Sequence, residues 1–282
     1  MKISKTRKTI RKIFLFGFAL IFVFSVFKPL TRAFCPKNLD KPGVIFFDVG
    51  QGDAILIKTP DKKTILLDGG PDNLVLWRLG EFLPFYRRRI DWLIFSHYHD
   101  DHIAGLVEVL RRYRVANILY APTEFSSPIL EAFLAAAKAE EANIQLLSAT
   151  ARLEFGSDCF MDMINPESLG IKKDENNSIY ARLDCREQSF LFTGDSDFRA
   201  EKALLSSGWP LEADVLKAAH HGSKTGNSAI FLEAVGADIF VVSAGADNKF
   251  NHPHPEILER AEGFGLKIRR TDMEGSIFFD LE

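Results

Sequence analysis

Cysteine is almost missing from this 282-residue chain: Cys35, Cys159 and Cys185 stand far apart, with no CxxC pair among them. That spacing excludes a thiolate metal site, and the odd count excludes full pairing. Cys159 and Cys185 read either as small core residues or as one bridge made in an oxidising compartment. Long apolar runs are lacking as well, since residues 13–27 form the single uncharged apolar stretch. An excess of positive charge is missing from the body of the chain. Residues 1–40 hold nine of the 35 Lys/Arg and one of the 38 acids, which leaves 26 basic against 37 acidic residues and a net charge of −11. A general surface attraction for polyanions is thereby excluded. Any such ligand would depend on local groups, such as Arg87, Arg88 and Arg89 or Arg111, Arg112 and Arg114. Internal repeats and low-complexity segments are absent too.

The N-terminus carries what the body lacks. Lys2, Lys5, Arg7, Lys8, Arg11 and Lys12 precede the apolar run. Fifteen helical residues span about 22 Å, short of the roughly 30 Å hydrocarbon core, so a secretory segment and a short signal anchor both fit. Thr31-Arg32-Ala33 is a poor cleavage site, which favours an uncleaved single-pass anchor. Its basic end would lie in the cytoplasm and the following domain outside the cytoplasmic membrane, or the domain would be secreted if the segment is cut. The expected division is 1–34 for this segment, 35–42 for a linker and 43–282 for one globular domain. At 282 residues and 46% hydrophobic content the chain can bury a large core.

Within the domain, short strands with tight turns come first. Strands are predicted over 44–49, 54–59 and 64–68 as an antiparallel meander, then 90–95, 118–120, 144–147, 152–155 and 158–164. Helices are expected over 103–113 and from Pro128 to 142, with Ser126 and Ser127 as cap candidates. The second half continues with a hairpin over 179–183 and 190–193, helices over 198–205, 229–235 and 255–264, and strands over 215–218, 239–242, 267–270 and 277–279. Strands cluster and helices intervene in both halves. This pattern predicts an α/β sandwich of two mostly antiparallel or mixed sheets with helices outside.

Histidine is rare, with seven in the chain, yet three fall in His97-Tyr98-His99-Asp100-Asp101-His102, directly after the apolar Trp92-Leu93-Ile94-Phe95. Imidazole and carboxylate are the donors that borderline divalent ions accept, and the i, i+2 spacing of His97 and His99 lets an extended turn aim both rings one way. Asp101 and His102 open the next helix, where the positive end of its dipole faces the same place. Further candidates end other strands. Asp68 precedes Gly69-Gly70 and is placed to fix the ligand loop from behind, or to serve as a turn acid. Asp195 ends the apolar Phe190-Leu191-Phe192-Thr193 after Gly194. Such an acid is costly unless it meets a cation, so it is expected to be a ligand. Asp197 is expected to cap the next helix. In His220-His221-Gly222-Ser223 one imidazole would bind metal and the other touch substrate. Asn251-His252-Pro253-His254-Pro255 is a Pro-fixed loop whose histidines are either functional or solvated.

The run His97 to His102 resembles the HxHxDH signature of the metallo-β-lactamase superfamily, with Leu67-Asp68-Gly69-Gly70 and Thr193-Gly194-Asp195 in matching order. More narrowly, Phe47-Asp48-Val49-Gly50-Gln51-Gly52-Asp53-Ala54, His220-His221-Gly222-Ser223, His252-Pro253-His254-Pro255-Glu256 and Arg270-Thr271-Asp272-Met273-Glu274-Gly275 resemble the hydrolase domain of the ComEC/Rec2 competence proteins. The resemblance covers residues 43–282. It implies a four-layer αββα fold, two divalent ions, zinc or manganese, and phosphoester hydrolysis. It further implies His97 and His99 on one ion, Asp101, His102 and His221 on the other, and Asp195 between them. Asp101 would orient the attacking water, His220 would meet the phosphoryl oxygens, and His252 would donate to the leaving group. Asp48 and Asp68 would support the ligands, while Ser223 and Asn251 would touch substrate. The superfamily often has a further histidine ligand between the first run and Asp195, but none lies between His102 and His220 here. Asn177, in Asn176-Asn177-Ser178, is assigned to that ion position instead. The implied partner is DNA or another phosphodiester. A membrane DNA channel would be a separate protein, since one apolar segment cannot translocate DNA. Two other readings stand beside this one: a hydrolase of a small ester, such as a phosphocholine-type or β-lactam substrate, and a tethered binding protein with a degenerate metal site.

Overall fold

A computed structural model describes residues 41–171 and 178–282. The expected N-terminal segment over 1–34, most of the linker, Cys35 and Asn177 lie outside the described residues. Among the described residues no helix is long and apolar enough to cross a membrane.

Two seven-stranded sheets face each other. The first has the order β14-β1-β2-β3-β4-β5-β6, built from β1 (Gly43–Phe46), β2 (Ile55–Lys58), β3 (Thr64–Leu67), β4 (Arg89–Ile94), β5 (Arg114–Tyr120), β6 (Asn143–Leu146) and β14 (Ile277–Asp280). The second runs β13-β12-β11-β10-β9-β8-β7, from β7 (Thr150–Glu154), β8 (Cys159–Ile164), β9 (Tyr180–Cys185), β10 (Gln188–Phe192), β11 (Val215–Lys217), β12 (Ile239–Val242) and β13 (Lys267–Arg270). The expected meander is present, because β1 pairs antiparallel with β2 and β2 with β3. Both sheets are mixed in the same way. Antiparallel pairing stops at β3 in one and at β10 in the other, and each continues with three parallel pairings. The carboxyl ends of strands at such a change of direction form a natural crevice for a ligand. All the strand-end acids and histidines of the sequence sit there.

Strand alternation explains the layering. Val44 and Phe46 point between the sheets with Phe190 and Phe192, whereas Ile45 and Phe47 point outward under the helices. Helices α1 (Leu74–Phe82), α2 (Asp100–Arg112) and α3 (Pro128–Ala139) cover the outer face of the first sheet. Helices α4 (Phe198–Ser207), α5 (Ala229–Val235) and α6 (Pro255–Gly263) cover the second. A last helical turn, α7 (Thr271–Glu274), precedes β14. The result is the αββα arrangement.

Caps set the helix starts. The Ser127 hydroxyl accepts from the Leu130 N–H at 3.2 Å, and the Asp197 carboxylate accepts from the N–H groups of Arg199 and Ala200. Helix α1 escapes sequence reading because its apolar run Leu74-Val75-Leu76-Trp77 lacks a polar face, and Trp77 is exposed rather than packed. Cys159 and Cys185 oppose each other in the β8–β9 register and form a disulfide.

Candidate metal centre

The ligand loop begins where β4 ends. His99 is the residue before α2, and Asp100 and Asp101 occupy the helix's first turn while Arg111 and Arg112 occupy its last, so side-chain charge complements the dipole at both ends. The neighbouring loop is held close by Gly52, whose Cβ, were there one, would lie 2.2 Å from the Asp101 carbonyl oxygen. The adjacent Asp53 N–H donates to that same oxygen at 3.2 Å. On the second sheet His220 and His221 both take left-handed backbone angles, φ 50° and 56°. Such strain is costly for residues with a Cβ and collects where function demands a side-chain direction.

One carboxylate organises the centre. Asp195 Oδ1 lies 3.3 Å from His102 Nε2 and 3.4 Å from His221 Nε2, while Oδ2 lies 3.8 Å from His97 Nε2 and 3.5 Å from His220 Nε2. Asp101 closes one side, 3.4 Å from His221 Nε2. Two donor groups therefore share Asp195: His97, His99 and Asp195, and Asp101, His102, Asp195 and His221.

Each buried imidazole is held from behind by its other nitrogen. His102 Nδ1 donates to Asp68 Oδ2 at 2.9 Å, and His221 Nδ1 donates to the Ser243 carbonyl at 2.9 Å. His97 Nδ1 faces the hydroxyls of Ser96 at 3.1 Å and Ser178 at 3.2 Å. Asp68 is itself fixed, accepting from the Ser96 N–H at 2.7 Å and the Ser96 hydroxyl at 2.8 Å. This is how metal-binding imidazoles are oriented, with the free nitrogen turned to the ion. The free atoms, His97 Nε2, His102 Nε2, His221 Nε2 and Asp195 Oδ1, are buried without any hydrogen-bond partner. Buried polar atoms of that kind are expensive unless something binds them. Converging imidazole nitrogens and a carboxylate fit a divalent ion in each donor group.

Without an ion, the charges settle among themselves. Burial works against a charged His102 and His221, but the surrounding carboxylates outweigh it. Asp195, Asp68 and Asp101 hold His102 well above the ordinary imidazole range, and Asp195 and Asp53 push His221 up to about 9. Burial likewise opposes ionisation of Asp195, yet His221 and His102 hold it well below the usual carboxylate range. Burial raises Asp68 against the pull of His102. For His97, burial and the charge of His102 press its pKa well below the ordinary value. Burial and the charges of His221 and His220 bring His252 down to about 4.

The structure redistributes several roles expected from sequence. Asp48 does not support a ligand: it faces Arg78, with Oδ2 2.9 Å from Nη2, and is partly exposed. The buried acid of that motif is Asp53, whose carboxylate meets the Lys217 ammonium at 2.5 Å and lies 3.6 Å from His221 Nδ1 and 3.8 Å from His102 Nδ1. Burial opposes its ionisation, but Lys217 and His221 win and lower it to about 2. Lys217 also donates to the Gly194 carbonyl at 3.0 Å, joining the loops of both sheets. Ser223, expected to touch substrate, has a hydroxyl that accepts from the Thr225 N–H and hydroxyl within its own turn. Asn251 is exposed beside His252, whose ring centroid lies 5.5 Å from that of His220. Ser178, beside Asn177, is a partner sequence reading passed over: its hydroxyl accepts from the Asp195 N–H at 2.8 Å.

Comparison with known proteins fits this geometry. Residues 47–144 match the family described as the metallo-beta-lactamase superfamily. Over that stretch the chain resembles the metallo-β-lactamase superfamily, and its two-sheet architecture is the metallo-β-lactamase fold. Among curated relatives of this domain, ComE operon protein 3 of Bacillus subtilis is 29% identical over 252 residues, covering 83% of this chain and 32% of that protein. Recombination protein 2 of Haemophilus influenzae is 28% identical, covering 86% and 29%, and competence protein ComA of Neisseria gonorrhoeae is 28% identical, covering 87% and 33%. The chain thus spans about a third of the length of these relatives. Among solved structures, the metallo-beta-lactamase fold protein YhfI of Bacillus subtilis superposes with a TM-score of 0.61 at 14% identity, over 86% of this chain and all of that one. The metallo hydrolase Igni18 of Ignicoccus hospitalis gives 0.57 at 12% identity, over 85% of this chain and all of that one. At these identities the likeness concerns the fold alone.

Proposed function

We propose that the domain is a metal-dependent phosphodiesterase that acts on DNA outside the cytoplasmic membrane, with two divalent ions, zinc or manganese, as cofactors. The observation that carries it is the convergence of unpartnered, buried His97, His102 and His221 nitrogens on the two oxygens of Asp195. His97, His99 and Asp195, and Asp101, His102, Asp195 and His221, would hold a pair of divalent ions, which would make a bound water far more acidic and offset charge growing on a phosphoryl group. Asp101, at the rim, has a carboxylate that could accept a hydrogen bond from an attacking water. His220 stands 3.5 Å from Asp195 Oδ2 with its side chain partly open, so it can donate to a phosphoryl oxygen. His252, neutral under its depressed pKa, can donate one N–H hydrogen bond to the leaving oxygen.

Substrate class follows from the relatives rather than from the ligands, which activate water without choosing the electrophile. Two of the relatives are named for recombination and for competence, and DNA is the substrate we infer from those names. The buried Cys159–Cys185 bridge supports a place outside the reducing cytoplasm, as does the basic, apolar N-terminal sequence expected to anchor the chain. A separate membrane channel would then be the partner that moves DNA.

The test is incubation of the full chain, in mild detergent, with single-stranded DNA, bis-p-nitrophenyl phosphate and a β-lactam, each with manganese, zinc or chelator. Phosphodiester cleavage that stops on chelation is expected. Turnover of the β-lactam alone, or of no ester at all, would contradict the proposal.

A further inference from the structure

Two ladders of aromatic rings lead outward from the donor groups, one from the loops of each sheet. On the side of the first sheet, the His99 ring meets that of Tyr98 edge-on at 5.5 Å, and Tyr98 stacks on Phe125 at 5.5 Å with an interplanar angle of 21°. These rings line an open cavity of about 380 Å³ together with Asp101 and Ser126. On the side of the second sheet, His252 lies 5.5 Å from His220 and 6.3 Å from His221, and Phe250 stacks on His252 at 5.7 Å and 22°. Both ladders end in an exposed ring, 40% for Phe125 and 48% for Phe250.

Each of these phenylalanines stacks one face on its neighbour and leaves much of its ring to water. Charge does not draw a nucleic acid here. The chain after residue 40 is net −11, and Asp100 lies on the wall of the cavity. One cation stands at a platform, Lys249, whose ammonium lies 4.9 Å from the Phe250 ring centroid and can meet a backbone phosphate. Binding therefore has to come from ions at the centre and from groups that grip the uncharged part of a strand.

We propose that Phe125 and Phe250 are stacking platforms for the bases on either side of the scissile phosphate, so that the centre selects an unpaired strand. This rests on the phosphodiesterase reading above and adds the residues that set its specificity. Aromatic rings grip unpaired bases regardless of sequence, whereas in a duplex those base faces are already stacked. The ladders place one ring beyond His99 and the other beyond His220 and His221. A phosphate at the centre would thus have a ring available to each neighbouring nucleotide.

The experiment uses the manganese-loaded full chain with three substrates: an oligothymidine, the same strand in a duplex, and an abasic strand with the same backbone. The parent should prefer the oligothymidine to both others. Phe125→Ala and Phe250→Ala should each lower the ratio of kcat/KM on the oligothymidine to that on the abasic strand by on the order of tenfold, mainly through KM. Phe125→Tyr and Phe250→Tyr should restore it, which a merely structural role would not require. An unchanged ratio, equal losses on both strands, or a parent that cleaves duplex as readily as single strand would overturn the proposal. A parent that cleaves none of the three would instead sink the phosphodiesterase reading, and this inference with it.

Discussion

Asp195→Ala should lower metal-dependent phosphodiester hydrolysis by about a thousandfold or more, equivalent to about 4 kcal/mol of transition-state stabilisation, while leaving the fold in place. The reason is positional. Asp195 is the one carboxylate common to both donor groups, with an oxygen toward each. Its loss removes a ligand from two places at once. The fold survives because the backbone N–H of residue 195, which donates to Ser178 at 2.8 Å, is unaffected. His102 and His221 can also shed protons once their counter-charge is gone. Asp195→Asn keeps one oxygen donor and should fall between parent and alanine variant. Steady-state rates on bis-p-nitrophenyl phosphate alongside near-ultraviolet circular dichroism test this. Full activity in the alanine variant would remove Asp195 from the centre.

The second large effect concerns stability. Lys217→Met should cost about 3–5 kcal/mol, the range for breaking one partner from a buried ion pair. That is a large share of the roughly 5–15 kcal/mol that holds an ordinary domain together. Lys217 and Asp53 are each 1% exposed and 2.5 Å apart, so the buried carboxylate would lose its nearest counter-charge and keep only His221 and His102, at 3.6 and 3.8 Å. The damage should also reach the ligands, because Asp53 stands behind both His102 and His221. The double variant Asp53→Asn with Lys217→Met removes both charges and should recover most of the loss. Urea unfolding in the presence of chelator measures this without the contribution of bound metal. A single variant within about 1 kcal/mol of the parent, on a scale where buried-pair breakage is several, would show that the pair holds nothing.

The difference between Asp48 and Asp53 shows how far the sequence could be read. Both acids belong to the same glycine-rich motif, and nothing in their order says which one turns inward. The turn at Gly50 and Gly52 decides it, bringing Asp53 under the Asp101 carbonyl and leaving Asp48 to Arg78. Lys217 was visible as a lysine in an apolar strand, but its partner comes from the other sheet and no local signal joins them. By contrast, His97 to His102 and Asp195 were legible because each combines residue chemistry with the end of an apolar strand. Sheet layering was legible for a similar reason, through clustered strands. The shared switch to parallel pairing after β3 and β10 was not, since pairing partners lie far apart in sequence.

In the proposed centre two ions would fit between histidines that, without metal, hold protons. Calorimetric titration of the chelator-stripped chain with zinc or manganese near pH 7, repeated in buffers of different ionisation enthalpy, tests it most directly. His102 lies well above neutrality and His221 at about 9, so both carry protons there and must lose them to bind an ion. The account predicts two ions per chain and release of about two protons, with affinity rising as pH climbs toward about 9. One ion or none, or binding without proton release, would contradict it.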